Sequence, residues 1–135
     1  MRARRAGLWL ALVCLAPGLA AGASNLDPEL KAFLGKFADM AAHGAADSMA
    51  KVTRFPLMNR VYQAPEKISA GGFKHQFAEN RFREFASCLK STRPQPAARD
   101  SADLGEWAVD CDGSVFYFAR EGDRWRFTGF ENVNE

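Results

Sequence analysis

Apolar residues recur at three- and four-residue spacing over Leu30, Phe33, Leu34, Phe37 and Ala41, which puts them on one stripe of an amphipathic helix. Asp27-Pro28-Glu29 precedes the stripe in the order N-cap, N1, first-turn acid, because aspartate accepts from orphan backbone N–H groups and proline has none to leave unpaired. The helix is predicted to start there and to end at His43-Gly44. Asp47 is placed as the cap of a second short helix through about Val52, stopped by Phe55-Pro56, since the residue before a proline is pushed out of the helical region. Leu57 to Gln63, bounded by Pro56 and Pro65, reads as a short extended segment. Ser69 is the next N-cap, with Phe73 and Phe77 one turn apart beyond it and Gly71-Gly72 weakening the start. Phe82, Phe85 and Leu89 form a further helical stripe with Cys88 beside them, and Ser91 to Ser101, rich in Pro, Arg and Ala, reads as an exposed loop.

The period then changes from helical to alternating. Glu106 to Cys111, Ser114 to Arg120 and Arg124 to Val133 are aromatic and β-branched runs separated by Asp112-Gly113 and Glu121-Gly122-Asp123, the pattern of a three-stranded antiparallel meander. A two-residue turn at Asp112-Gly113 sets Cys111 opposite Ser114, Val109 opposite Phe116 and Trp107 opposite Phe118, all on one face. A second turn centred on Gly122-Asp123 adds Trp125 and Phe127 to that face. Unbroken alternation gives the other face Ala108, Asp110, Val115, Tyr117, Arg126, Thr128, Phe130 and Asn132. On it Val115, Tyr117 and Phe130 would make an apolar patch, either an ordinary half-solvated surface or an interface for a partner or a second copy.

Charge and cysteine usage bear on compartment. Met1 to Arg5 carries three arginines, Gly7 to Leu19 is almost wholly apolar, and Ala21-Gly22-Ala23 supplies small residues, so residues 1–23 read as a secretory signal with Ser24 as the first mature residue. The apolar run falls short of the roughly 20 residues that span a bilayer, so no membrane anchor is expected after processing. Cys14 follows bulky Val13 rather than a lipoprotein-type context, and Arg4-Arg5 lacks the polar surroundings of twin-arginine export; general secretion to a periplasm or medium is expected. Without the signal, the balance of 18 basic against 16 acidic residues becomes 15 against 16, which removes the electrostatic case for nucleic acid. Residues 24–135 suit one domain with one modest core. Cys88 and Cys111, the remaining pair, read first as a disulfide in an exported protein, with a metal pair or a reactive thiol as the alternatives; no histidine stands at ligand spacing to either.

The helix-first order, the "RFPLMNRVY" segment, the "ISAGGFKHQF" helix entrance and the closing "DGSVFYFAREGDRWRFTGFEN" resemble the small exported members of the nuclear-transport-factor-2-like superfamily. The resemblance covers nearly all of residues 27 to 134 and implies an α+β cone, N-terminal helices packed on a curved antiparallel sheet, often with a pocket between the layers. It implies that Phe37, Tyr62, Trp107 and Phe118 could line such a pocket, although aromatic residues at these positions more often fill a core.

Enzymes of that superfamily move protons with pocket Asp, His or Tyr side chains. The sharpest acid–base set is Asp39 with His43 at i and i+4, with Tyr62, His75 and Asp110 as further candidates. Asp39 falls outside the apolar stripe, His43 sits beside a helix-ending glycine, His75 is out of phase with Phe73, and Asp110 points to the outer face; a solvated Asp39–His43 pair near a helix C-terminus competes with a catalytic dyad. No metal spacing, phosphate loop or nucleophile elbow is present in the sequence, and no cofactor or metal is expected. The first reading is therefore a non-enzymatic exported binding domain for a small apolar molecule or another exported protein, immunity or inhibitor proteins being one version. An acid–base enzyme of isomerase, dehydratase or hydrolase type and an assembly protein using the outer sheet face are the alternatives.

Overall fold

The computed structural model describes residues 26–61, 64–75 and 82–134. The residues 1–23 read above as a signal, Tyr62 and Phe77 lie outside them. Helix α1, Pro28–His43, starts as its sequence dictates: the Asp27 carboxylate accepts from the Glu29 N–H at 2.9 Å, and the helix closes at Gly44 in the left-handed region. Leu30, Leu34, Phe37, Ala38 and Ala41 form its buried face.

Helix α2, Ala46–Lys51, begins two residues earlier than its aspartate suggests, with Ala45 as an N-cap whose side chain makes no capping hydrogen bond. Asp47 is thus no cap; it sits in the first turn and pairs with Lys74, and that cation holds its carboxyl below the usual range. Strand β1, Thr53–Val61, runs straight through Phe55-Pro56, and β2, Ala64–Ile68, contains Pro65, so the expected extended segment is longer than the prolines allowed. Each proline stands where the ladder needs no donor: Pro56 falls in the register break of β1 between Thr53 and Met58, and Pro65 lies on an edge strand. Ser69 caps α3, Ala70–Phe73, by accepting from Gly72 N–H at 3.2 Å, and α4 spans Phe82–Ser91.

The expected loop over 91–101 also carries structure. Gln95–Pro96 forms β3, paired to Ala108 and Trp107, and Arg99–Ser101 makes one 3₁₀ turn. Strands β4 (Trp107–Cys111), β5 (Ser114–Glu121) and β6 (Arg124–Asn132) are the meander, in the expected register of Cys111 with Ser114, Val109 with Phe116 and Trp107 with Phe118. The six strands lie in the order β2-β1-β6-β5-β4-β3. The sheet is mixed rather than antiparallel throughout, because β1 runs parallel to β6; that pairing needs the long connection through α3 and α4. At Asp112-Gly113 both residues have positive φ, 56° and 91°, as a type I′ turn requires. A Cβ on Gly113 would stand 1.9 Å from Asn134 Nδ2, the group that donates to Asp112 O across the turn.

One face of the sheet packs on the helices. Phe37 lies 5.2 to 6.0 Å, centroid to centroid, from the rings of Phe33, Phe82, Phe118 and Phe127. Phe130 belongs to this core as well, 3% exposed and 5.1 Å from Phe116. That corrects its expected place on the outer face. Tyr117 pairs with Gly129 and Phe118 with Phe127, so Thr128 is an extra residue on β6. Such a bulge breaks the two-residue period and turns every later side chain over.

Residues 97–105 strap the opposite face. Leu104 packs there on Val115 and Tyr117, with Met58, Ala97 and Ala108 around them. The Thr128 hydroxyl donates to Leu104 O at 2.7 Å, and a Cβ on Gly129 would stand 2.6 Å from that same oxygen, so this glycine permits the strap's close approach. The exposed patch of Val115, Tyr117 and Phe130 therefore does not exist: two members lie under the strap and the third is in the core.

Cys88 and Cys111 are bonded, S–S 2.08 Å, tying α4 to the end of β4 across 23 residues. Replacing both by serine is expected to lower stability by about 3 kcal/mol through restored freedom of the unfolded chain. Urea unfolding of the variant against the oxidised protein measures it.

Candidate functional site

The proposed acid–base residues do not converge. Asp39 and His43 are both exposed, and the imidazole Nδ1 meets the Asp39 backbone oxygen at 2.7 Å, not its carboxylate. Because that oxygen only accepts, the contact fixes the Nδ1–H tautomer. The Asp39 carboxylate instead faces Lys90 Nζ at 3.7 Å. His75 is exposed, as is Asp110, whose carboxylate accepts from Gly113 N–H in the turn. Among the described residues no group of three His, Cys, Asp or Glu side chains could hold a metal ion.

The residues expected to line an interlayer pocket are used for packing. Phe37 and Phe118 are fully buried against each other at 5.3 Å, and Trp107 is half-buried against the same cluster. Tyr62 lies outside the described residues.

A polar cluster that alternation did not foresee sits under the strap. Tyr117 donates its hydroxyl to Glu131 Oε2 at 2.7 Å, while Arg60 reaches Glu131 at 3.5 Å, Asp103 at 2.9 Å and the Asp100 backbone oxygen. Burial is the main cause that pushes the Tyr117 phenol up to about 12; Ser101 and Arg60 pull it down and the Glu131 carboxylate raises it further. Every polar member has a protein partner, so the cluster reads as the fastening of the strap. A raised phenol pKa stabilises the fold fully below the unfolded value near 10, and that stability is lost as pH climbs from there through about 12. Tyr117→Phe is expected to cost about 2 kcal/mol at neutral pH, for one hydrogen bond to a carboxylate, and to abolish this alkaline loss. Denaturant midpoints at neutral and alkaline pH for both proteins check it.

The open concavity lies elsewhere, where the first turns of α1 meet the last turn of α4. It measures about 470 Å³ and is lined, among the described residues, by Leu26, Lys31 and Leu34 on one side and by Leu89 to Pro94 on the other. Leu34 and Leu89 make a buried apolar floor. Thr92 joins this wall to the disulfide, its hydroxyl 3.2 Å from Cys88 Sγ. Sequence periodicity marked Leu34 and Leu89 only as stripe members. Their extra role depends on the packing of α1 against α4 and the segment up to Pro94, which brings them to one opening.

Helices on one face of a mixed six-stranded sheet, with an amphipathic groove at one end of the helix pair, define the class as an α+β helix-on-sheet protein. The chain is similar in fold to an NTF2-like protein with a cystatin-like fold from Novosphingobium aromaticivorans, at 14% identity over 77% of this chain and 78% of that one, with a TM-score of 0.39. No protein-family model and no curated protein sequence matches it.

Proposed function

We propose that this chain is an exported, non-catalytic binding domain that holds a small apolar molecule in the groove between α1 and the end of α4. The observation that carries the reading is the pairing of a buried leucine floor, Leu34 and Leu89, with an opening lined by Leu26 and Pro94. Its volume of about 470 Å³ falls within the roughly 300–1,000 Å³ of small-molecule sites. The Cys88–Cys111 bond supports an oxidising compartment. The scattering of Asp39, His43 and His75 over the surface leaves the groove without a general base from that set.

Native mass spectrometry of the protein recovered gently from its own compartment tests this. The expected result is a chain with a two-hydrogen mass deficit carrying an added small mass that collisional activation strips off. A chain that is bare in every preparation speaks against a resident apolar ligand.

A further inference from the structure

We infer that the Cys88–Cys111 bond is a redox switch for this groove, which holds an apolar molecule firmly only while the bond is intact. The inference rests on the binding function proposed above and adds its regulation. Ser91 and Thr92 of the groove's wall are fastened to a helix end rather than to the sheet. Ser91 donates its hydroxyl to Ser87 O at 2.8 Å, and the Thr92 N–H donates to Cys88 O at 2.8 Å. The Thr92 hydroxyl, 3.2 Å from Cys88 Sγ, adds a third tie; it is the donor there, because a disulfide sulfur carries no hydrogen. Wherever the last turn of α4 goes, this part of the wall goes with it.

The two halves of α4 are held on the sheet differently. In the first half, Phe82 and Phe85 lie 5.6 and 5.2 Å, centroid to centroid, from Phe116 of β5. Near the end, the Cys88 bond ties the helix to Cys111 at the end of β4. Beyond the wall the chain rejoins that same strand through β3, where Gln95 pairs with Ala108 and Pro96 with Trp107. Residues 88–95 thus form a bow between two attachments on β4, and breaking the disulfide leaves one of them. Reduction releases the last turn of α4 and the wall it carries, while the aromatic packing keeps the first half of the helix in place. Cys88 is half-buried and Cys111 only 6% exposed, so exchange runs through the Cys88 sulfur. In oxidation the Cys88 thiolate attacks an incoming disulfide and releases one thiol; Cys111 then attacks the Cys88 sulfur and releases the second, so two electrons and two protons pass to the oxidant. A dithiol reductant runs the same steps backwards and leaves as a disulfide. Full binding is thereby confined to an oxidising compartment.

Calorimetric titration of decanol into the oxidised protein, the protein reduced with dithiothreitol and a Cys88→Ser/Cys111→Ser variant tests the inference. Reduction and the double substitution are each expected to weaken decanol binding about tenfold, the factor for a wall in place about a tenth of the time. Reoxidation with glutathione disulfide should restore the affinity, and far-UV circular dichroism should show the reduced chain still folded. Tyr117→Phe loses stability under the strap, on the other face of the sheet, and keeps the disulfide. It should bind decanol as the native protein does, which separates a displaced wall from a general loss of stability. Equal affinity of the oxidised and reduced proteins, an equal loss in Tyr117→Phe, or a reduced chain that is unfolded overturns the switch and leaves the groove standing. Failure of the oxidised protein to bind decanol overturns the groove reading itself, and this inference with it.

Discussion

Phe37→Ala is expected to destabilise the protein by about 4 kcal/mol, the range for removing a fully buried aromatic side chain from a core that cannot collapse around the gap. Phe37 is 0% exposed and touches Phe33, Phe82, Phe118 and Phe127. It comes from α1 and meets α4, β5 and β6, so no single element can shift to fill the void without separating the others. The midpoint of urea unfolding should fall sharply with little change in slope. Were Phe37 instead the wall of a pocket between the layers, the loss would be small and ligand affinity would change.

Phe130→Ser should have an effect of the same size, about 4 kcal/mol, since a buried ring is lost and a hydroxyl is left in an apolar site. Phe130 packs on Phe116 inside the helix-facing core. The prediction is a loss of stability without a change in association, read from unfolding curves together with sedimentation. A residue on the outer face, where uninterrupted alternation puts it, would give the reverse: near-native stability and altered self-association.

These two residues show what the sequence makes legible. Phe37 declares its burial through local spacing, because Leu30, Leu34, Phe37 and Ala41 share a stripe wherever the helix is placed. The Asp112-Gly113 turn is equally local, and with it came the β4–β5 register and the meeting of Cys111 with Cys88. Phe130 depends on something else, the single extra residue Thr128 opposite Tyr117 and Phe118. The trace it leaves in the sequence is the spacing of Trp125, Phe127 and Phe130, a step of two followed by a step of three. The prolines misled for a related reason. Pro56, Pro65 and Pro96 forbid an interior ladder position, yet all three sit in strands, at a register break or on an edge, and edges are set by tertiary arrangement.

The groove was the least legible part. Lys31, Leu34, Leu89 and Lys90 look like ordinary amphipathic helix surface. Only the packing of α1 on α4, with the segment that follows α4 to Pro94, brings them to one opening. The acid–base candidates failed in the opposite direction: Asp39 and His43 are close in sequence, but the imidazole bonds the backbone at 2.7 Å and the carboxylate faces Lys90. Helical spacing brings side chains near one another without deciding which atoms meet.

The groove as ligand site is tested most directly by following leucine methyl resonances while decanol, a neutral apolar probe, is titrated into the protein. The account predicts saturable shifts at Leu26, Leu34 and Leu89, which line the groove, with Leu57 in the core and Leu104 under the strap unmoved. Shifts centred on Leu104, or none at Leu34 and Leu89 up to the solubility limit, would contradict it.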